Sequence, residues 1–200
     1  MGNNPVVILI LLSTLVNGLL GRSFIELLPA VSGLLLMGGA SELAWLTAAA
    51  GTGAVLGGLL MSRQAAHVMG LYRLILVALL GAALLLATLN WLDALISLAV
   101  VVGLITFTTT IAGTGCQALT QLLIDPNYHG RVMSLWSMTM MASPALGAAT
   151  NGALAEWAGF VTTFAVASAL GVLAVLALYA RRRVVSDFAP EAIATTSDSR

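Results

Sequence analysis

Short polar or charged breaks divide the chain into six apolar stretches of near-equal length: Pro5 to Leu28, Glu42 to Met61, Leu71 to Asn90, Ala94 to Gln117, Val132 to Leu154 and Gly159 to Ala180. A helix needs about 20 mostly apolar residues to cross the hydrocarbon core of a bilayer. Inside that core each segment must satisfy its own backbone N–H and C=O groups, which leaves the α-helix as the natural spanning form. The spacing therefore predicts an all-α membrane protein with six transmembrane helices. Composition agrees: 60% of residues are hydrophobic and 8% charged, against roughly 25% charged in an ordinary soluble domain. The run Val6 to Leu12 is placed like the apolar core of a secretory signal, but Met1-Gly2-Asn3-Asn4 carries no Lys or Arg, and a signal needs a basic start. It reads as a first span. The apolar stretch Leu27 to Gly39 contains Pro29, so that span either runs longer or ends in a buried extracellular turn.

The arginines orient the bundle. Short cytoplasmic loops are enriched in Lys and Arg, while acidic residues contribute little to orientation. Arg63 and Arg73 flank the second loop, Arg131 closes the fourth, and Arg181, Arg182 and Arg183 follow the last span. All fall on one side of a six-span arrangement, whereas Glu42, Asp93 and Glu156 fall on the other. The expectation is a multi-pass protein of the cell inner (plasma) membrane with both termini cytoplasmic. Residues 1–183 form the transmembrane domain, and 184–200, rich in Ser, Thr, Asp and Glu, read as a disordered cytoplasmic tail.

Several function classes have no support. Eight Arg, with no Lys, balance eight carboxylates, so no basic surface exists to hold nucleic acid. The single Cys116 excludes an internal disulfide, and His67 and His129 stand too far apart for a metal motif. Both histidines fall in expected cytoplasmic loops. No Ser-His-Asp set, paired carboxylates, phosphate loop or zinc signature occurs, so neither an enzyme nor a cofactor is expected.

Polar chemistry concentrates on two spans. The first carries Asn17, Arg22, Ser23 and Glu26, where an unpaired charge at mid-bilayer costs about 2.5–3.5 kcal/mol or more. Arg22 and Glu26 are four apart and share a helical face, where they can partly neutralise each other. A rise of 1.5 Å per residue puts Arg22 roughly 25 Å from Pro5, nearer the outer interface than the midplane. A snorkelling or bracing pair is thus as compatible with this position as a substrate or gating role. On the fourth span Thr106, Thr109, Thr110, Gly113, Gln117, Thr120 and Gln121 recur at intervals of three and four. Such a stripe faces either a wet cavity or a neighbouring helix. Thr14, Asn17, Gly18 and Gly21 make a shorter one. Gly51, Gly53, Gly57 and Gly58 on the second span, and Ala142, Pro144, Gly147 and Gly152 on the fifth, favour close packing, with a kink at Pro144.

The order of these features resembles the carboxy-terminal six helices of a major facilitator superfamily transporter, over roughly residues 5–182, and is most like the siderophore and drug exporter branch. Gly58-Leu59-Leu60-Met61-Ser62-Arg63 is similar to the family's cytoplasmic G-x-x-x-D-R motif, with Ser62 where an acid usually stands. Asp125-Pro126-Asn127-Tyr128-His129-Gly130-Arg131-Val132-Met133-Ser134 is similar to the stretch entering the penultimate helix in that branch. The resemblance implies two inverted three-helix repeats, residues 5–90 and 94–182, with the first and fourth spans lining a cavity. It also implies a second six-helix half, either another copy of this chain or a separate amino-terminal half.

The resulting expectation is a secondary active transporter, or half of one, exporting a small organic solute by alternating access. Asn17, Arg22, Glu26, Thr106, Thr110 and Gln117 would face the pathway. The alternative is a non-transporting six-helix scaffold or regulatory protein, its polar faces buried in helix contacts.

Overall fold

The computed structural model describes residues 5–35, 39–63, 68–92, 94–124 and 129–183. The expected tail, His67, Asp93 and Asp125 to Tyr128 lie outside the described residues. Those described are helical almost throughout. Pro5–Asn17 (α1) runs into a π-helical turn, Gly18–Arg22, and then Ser23–Glu26 (α2), together the first span. The remaining helices are Leu28–Leu35 (α3), Ala40–Ser62 (α4), Val68–Thr88 (α5), Leu95–Leu123 (α6), His129–Ala158 (α7) and Phe160–Ala180 (α8).

Five of these segments are long and apolar enough to cross a membrane: Pro5–Glu26, Ala40–Ser62, Val68–Trp91, Leu95–Leu123 and Phe160–Ala180. The helix at the expected fifth span, α7, has 30 residues, ample length, but it is less apolar than the other five. Ser134, Ser137, Thr139, Ser143, Thr150 and Asn151 interrupt it.

Local chemistry explains the boundaries. The first span stops at Glu26 because Leu27 closes a turn, its N–H bonding the Phe24 carbonyl at 3.1 Å. Pro29 then sits in the first turn of α3, where its missing N–H is harmless. The chain takes neither of the outcomes expected at Pro29: it breaks at Leu27 and begins a new short helix, with Pro29 and Ala30 exposed. At the start of α4, the Glu42 Oε2 accepts from the Gly39 N–H at 2.8 Å and from the Ser41 hydroxyl at 2.7 Å. It thereby satisfies a donor that the first helical turn leaves without a partner. Gly159, with φ 82°, reverses the chain between α7 and α8 in a backbone region that disfavours other residues.

Helix pairing follows the small residues. α4 packs along α6, α5 along both α6 and α8, and the first span along α7 and α6. A Cβ on Gly53 would collide with the Gly103 carbonyl, and one on Gly57 would lie 2.7 Å from the Phe107 carbonyl. These glycines let α4 and α6 approach backbone to backbone. Gly51 and Gly58 meet nothing within 4 Å, so only half of that glycine set works in packing. Two apolar clusters fill the bundle. Ile75, Leu79, Ile111, Ala112 and Leu119 anchor one, and Phe24, Leu46, Leu98, Val102 and Ile105 the other. Phe24 and Phe164 meet edge to face at 5.6 Å.

Candidate functional site

Among the described residues two concavities stand out along α6. The larger, about 790 Å³, is a groove along the flank of α4 and α6, lined by Trp45, Leu56, Ile96, Val100, Leu104 and Phe107 among others. Its only side-chain polar atoms belong to Trp45 and to Thr52, whose hydroxyl is already donated to the Ala48 carbonyl at 2.9 Å. A polar solute would lose its water there without replacement.

The smaller cavity, about 230 Å³, lies where the first span, α4, α6 and α7 converge. It is lined by Arg22, Ile25, Ala54, Thr106, Thr109, Thr110, Gly113, Thr114 and Met140. Three of its hydroxyls are turned onto their own helix. Thr106 donates to the Val102 and Gly103 carbonyls at 2.8 and 2.9 Å, Thr109 to Thr106 at 3.2 Å, and Thr114 to Thr110 at 2.7 Å. This back-bonding is how threonine is carried within a span. Among the described residues the Thr110 hydroxyl has no such partner.

Of the six expected site residues, Arg22, Thr106 and Thr110 line this cavity together. Asn17 lies against its wall. It is fully buried, and its Nδ2 donates to the Thr109 carbonyl at 3.2 Å and would stand 3.2 Å from a Cβ on Gly113. Its Oδ1 is buried with no partner. Glu26 is exposed and Gln117 half-buried, and neither lines the cavity. Among the described residues no hydrogen bond or salt bridge joins Arg22 to Glu26, so the neutralising pair expected from their spacing is not formed.

The position of Arg22 relative to Asn17 is set by the first span itself. Ser23 donates its backbone N–H to the Gly18 carbonyl, the i→i+5 bond of a π turn. In a regular α-helix Arg22 would point about 140° away from Asn17; the wider turn swings it back toward the face that Asn17 presents to α6. Gly18 and Gly21 make the turn possible at close quarters. A Cβ on Gly18 would strike Ser143, and one on Gly21 would strike Thr109. Met140 and Ser143 were not singled out by the sequence, because Met140 is apolar and Ser143 is one of several polar residues on α7, with Ser137, Thr139 and Thr150, that the sequence does not rank. Thr114, four residues after Thr110, was available from the helical period.

Cys116 is fully buried and His129 begins α7. Among the described residues no group of three or more His, Cys, Asp or Glu could hold a metal. No curated protein matches the chain. A family model does, the Major Facilitator Superfamily, over residues 7–197, and the chain belongs to that superfamily of membrane transporters.

Proposed function

We propose that residues 1–183 are one six-helix half of a secondary active transporter that exports a small organic solute by alternating access, in the siderophore and drug exporter-like branch. The observation that carries this reading is the polar cavity, which gathers Arg22 and four threonines at the meeting of the first span, α4, α6 and α7. Helix α7 counts as the sixth span: its 30 residues exceed the length needed to cross, and the polar residues that lower its hydropathy suit a helix beside a pathway.

Two inverted repeats would account for much of the helix pairing, although α7 also packs on α8 without a matching α4–α5 contact among the described residues. Exchanging the first span with α6, α4 with α7 and α5 with α8 turns the α4–α6 contact into the contact of the first span with α7. The α5–α8 and first span–α6 contacts map onto themselves, and the α5–α6 contact maps onto a thinner one between the first span and α8. The arginine distribution favours cytoplasmic termini in the inner membrane. A second half, as a homodimer or a separate amino-terminal chain, would close the cavity.

One observation favours the scaffold alternative: the hydroxyls of Thr106, Thr109 and Thr114 are bonded within α6, as in a purely structural stripe. Labelling separates the two. In a Cys116→Ser chain in membranes, a cysteine at Thr110 or Thr114 reacts with a water-soluble thiol reagent if the cavity is wet, while Leu98 and Ile105, buried in the core, give unreactive controls. Protection of both cavity positions would support the scaffold.

A further inference from the structure

The polar cavity contains one ionisable side chain among its lining residues, Arg22. Among the described residues no carboxylate answers it: Glu26 is outside the lining, and the two form no pair. The remaining polar groups divide by what they can offer. Thr106, Thr109 and Thr114 have spent their hydroxyl protons on their own helix, so their oxygens can only accept. The Arg22 guanidinium, with its five N–H groups, and the Thr110 hydroxyl are the donors left uncommitted in the lining. An exposed guanidinium with no acceptor among the described residues, beside one free hydroxyl, matches a planar oxyanion, which a guanidinium grips through two parallel hydrogen bonds.

Resting on the reading of this cavity as a solute site, we propose that the solute is a small organic anion. Its carboxylate or other oxyanion is held by Arg22 and Thr110. The spent threonine oxygens fit hydroxyl or amino donors on the rest of the solute. The π turn is what makes this possible, because it brings Arg22 onto the α6-facing side of the first span. An arginine that merely snorkels to the interface would leave the cavity without a preference for either sign of charge.

Reagents of opposite charge read the sign directly without knowledge of the solute. The full chain carrying Cys116→Ser and Thr110→Cys is labelled in membranes with sulfonatoethyl and with trimethylammonioethyl methanethiosulfonate, each rate divided by that for free cysteine. The anionic reagent is expected to be favoured about tenfold at low ionic strength, and less at high salt. Arg22→Gln abolishes the preference and Arg22→Lys retains most of it. The same measurement at Thr114→Cys guards against a local distortion at position 110. Labelling at both positions with no anionic preference, or a preference that survives Arg22→Gln, overturns the anionic solute and leaves the wet-cavity reading standing. Absence of labelling at both positions in a folded, membrane-inserted chain overturns the solute site and the anion together.

Discussion

The seam between α4 and α6 and the seam between the first span and α7 use the same device with different results. In the first, Gly53 and Gly57 let α4 ride on the Gly103 and Phe107 carbonyls, and Gly103 in turn would bring a Cβ 3.2 Å from the Ala49 carbonyl. Both helices are regular there, and no buried polar side-chain atom at this contact lacks a partner. In the second, Gly18 abuts Ser143 and Pro144, and a Cβ on Gly147 would lie 2.8 Å from the Leu19 carbonyl. Here the first span is irregular, with its π turn, while α7 runs on as an α-helix but carries Pro144, which has no N–H to give, at the same level. Asn17 Oδ1 and Ser143 Oγ are buried without partners. Small residues thus make a finished joint where two regular helices meet. Where a π turn meets a proline, the same close approach leaves polar groups that a rearranged helix pair could satisfy. The first seam is a rigid joint, and the second is the adjustable wall of the cavity.

The comparison breaks most visibly at Gly53. Gly53→Leu drives a side chain into the Gly103 backbone, which cannot move aside as a flexible side chain would. Overpacking of this kind costs about 1–3 kcal/mol or more, so the thermal midpoint in detergent should fall by about 5–10 °C. Gly51→Leu and Gly58→Leu, which meet open space, should stay within about 2 °C of wild type. Equal losses at all four glycines would mean that the seam is not what these residues build.

Pro144 sharpens the contrast from the other side. A proline in a helix interior removes the backbone bond to the fourth residue back, here the Met140 carbonyl beside the cavity. Pro144→Ala restores that donor. The expected result is a midpoint raised by about 2–5 °C with slower amide exchange in α7 around Met140. A midpoint lowered by Pro144→Ala would show that the proline is required for packing and is not a point of play.

Much of the framework was legible because length and hydropathy alone dictate it. Five of the spans were fixed by runs such as Leu71 to Asn90, and the placement of Thr106, Thr109, Thr110 and Gly113 together followed from the helical period. The limit was reached wherever the choice lay between faces of a helix apolar all round. Gly51 and Gly53 differ by two positions, yet one faces open space and the other a carbonyl, and no polarity contrast on α4 distinguishes them. Gln117 continues the threonine period but does not line the cavity, whose α6 wall ends at Thr114; its neighbour Cys116 is level with Thr14, one turn before Asn17 on the first span. The period that would turn Arg22 away from Asn17 fails at the π turn, whereas Arg22 and Glu26 lie at or beyond its end, shift together, and among the described residues still form no pair. A π turn inserts the equivalent of one residue, and every face downstream of Gly18 shifts accordingly.

The finest test lies within the irregular seam, between two serines. Ser23 donates to the Leu19 carbonyl at 2.6 Å and accepts from Asn151 Nδ2 at 3.2 Å, so it ties the first span to α7. Ser143, on the opposite wall, is 1% exposed and bonds nothing. Ser23→Ala strands the Asn151 amide and should lower the midpoint by about 2–4 °C, in keeping with about 1 kcal/mol for a membrane hydrogen bond. Ser143→Ala removes a hydroxyl whose burial is uncompensated, so its effect should run from zero to a rise of about 2 °C. Opposite signs at two serines of one helix pair would establish that this seam is only partly satisfied in the conformation described. A loss at Ser143 matching that at Ser23 would mean that its hydroxyl is held after all, and the distinction between a finished and an adjustable joint would fall.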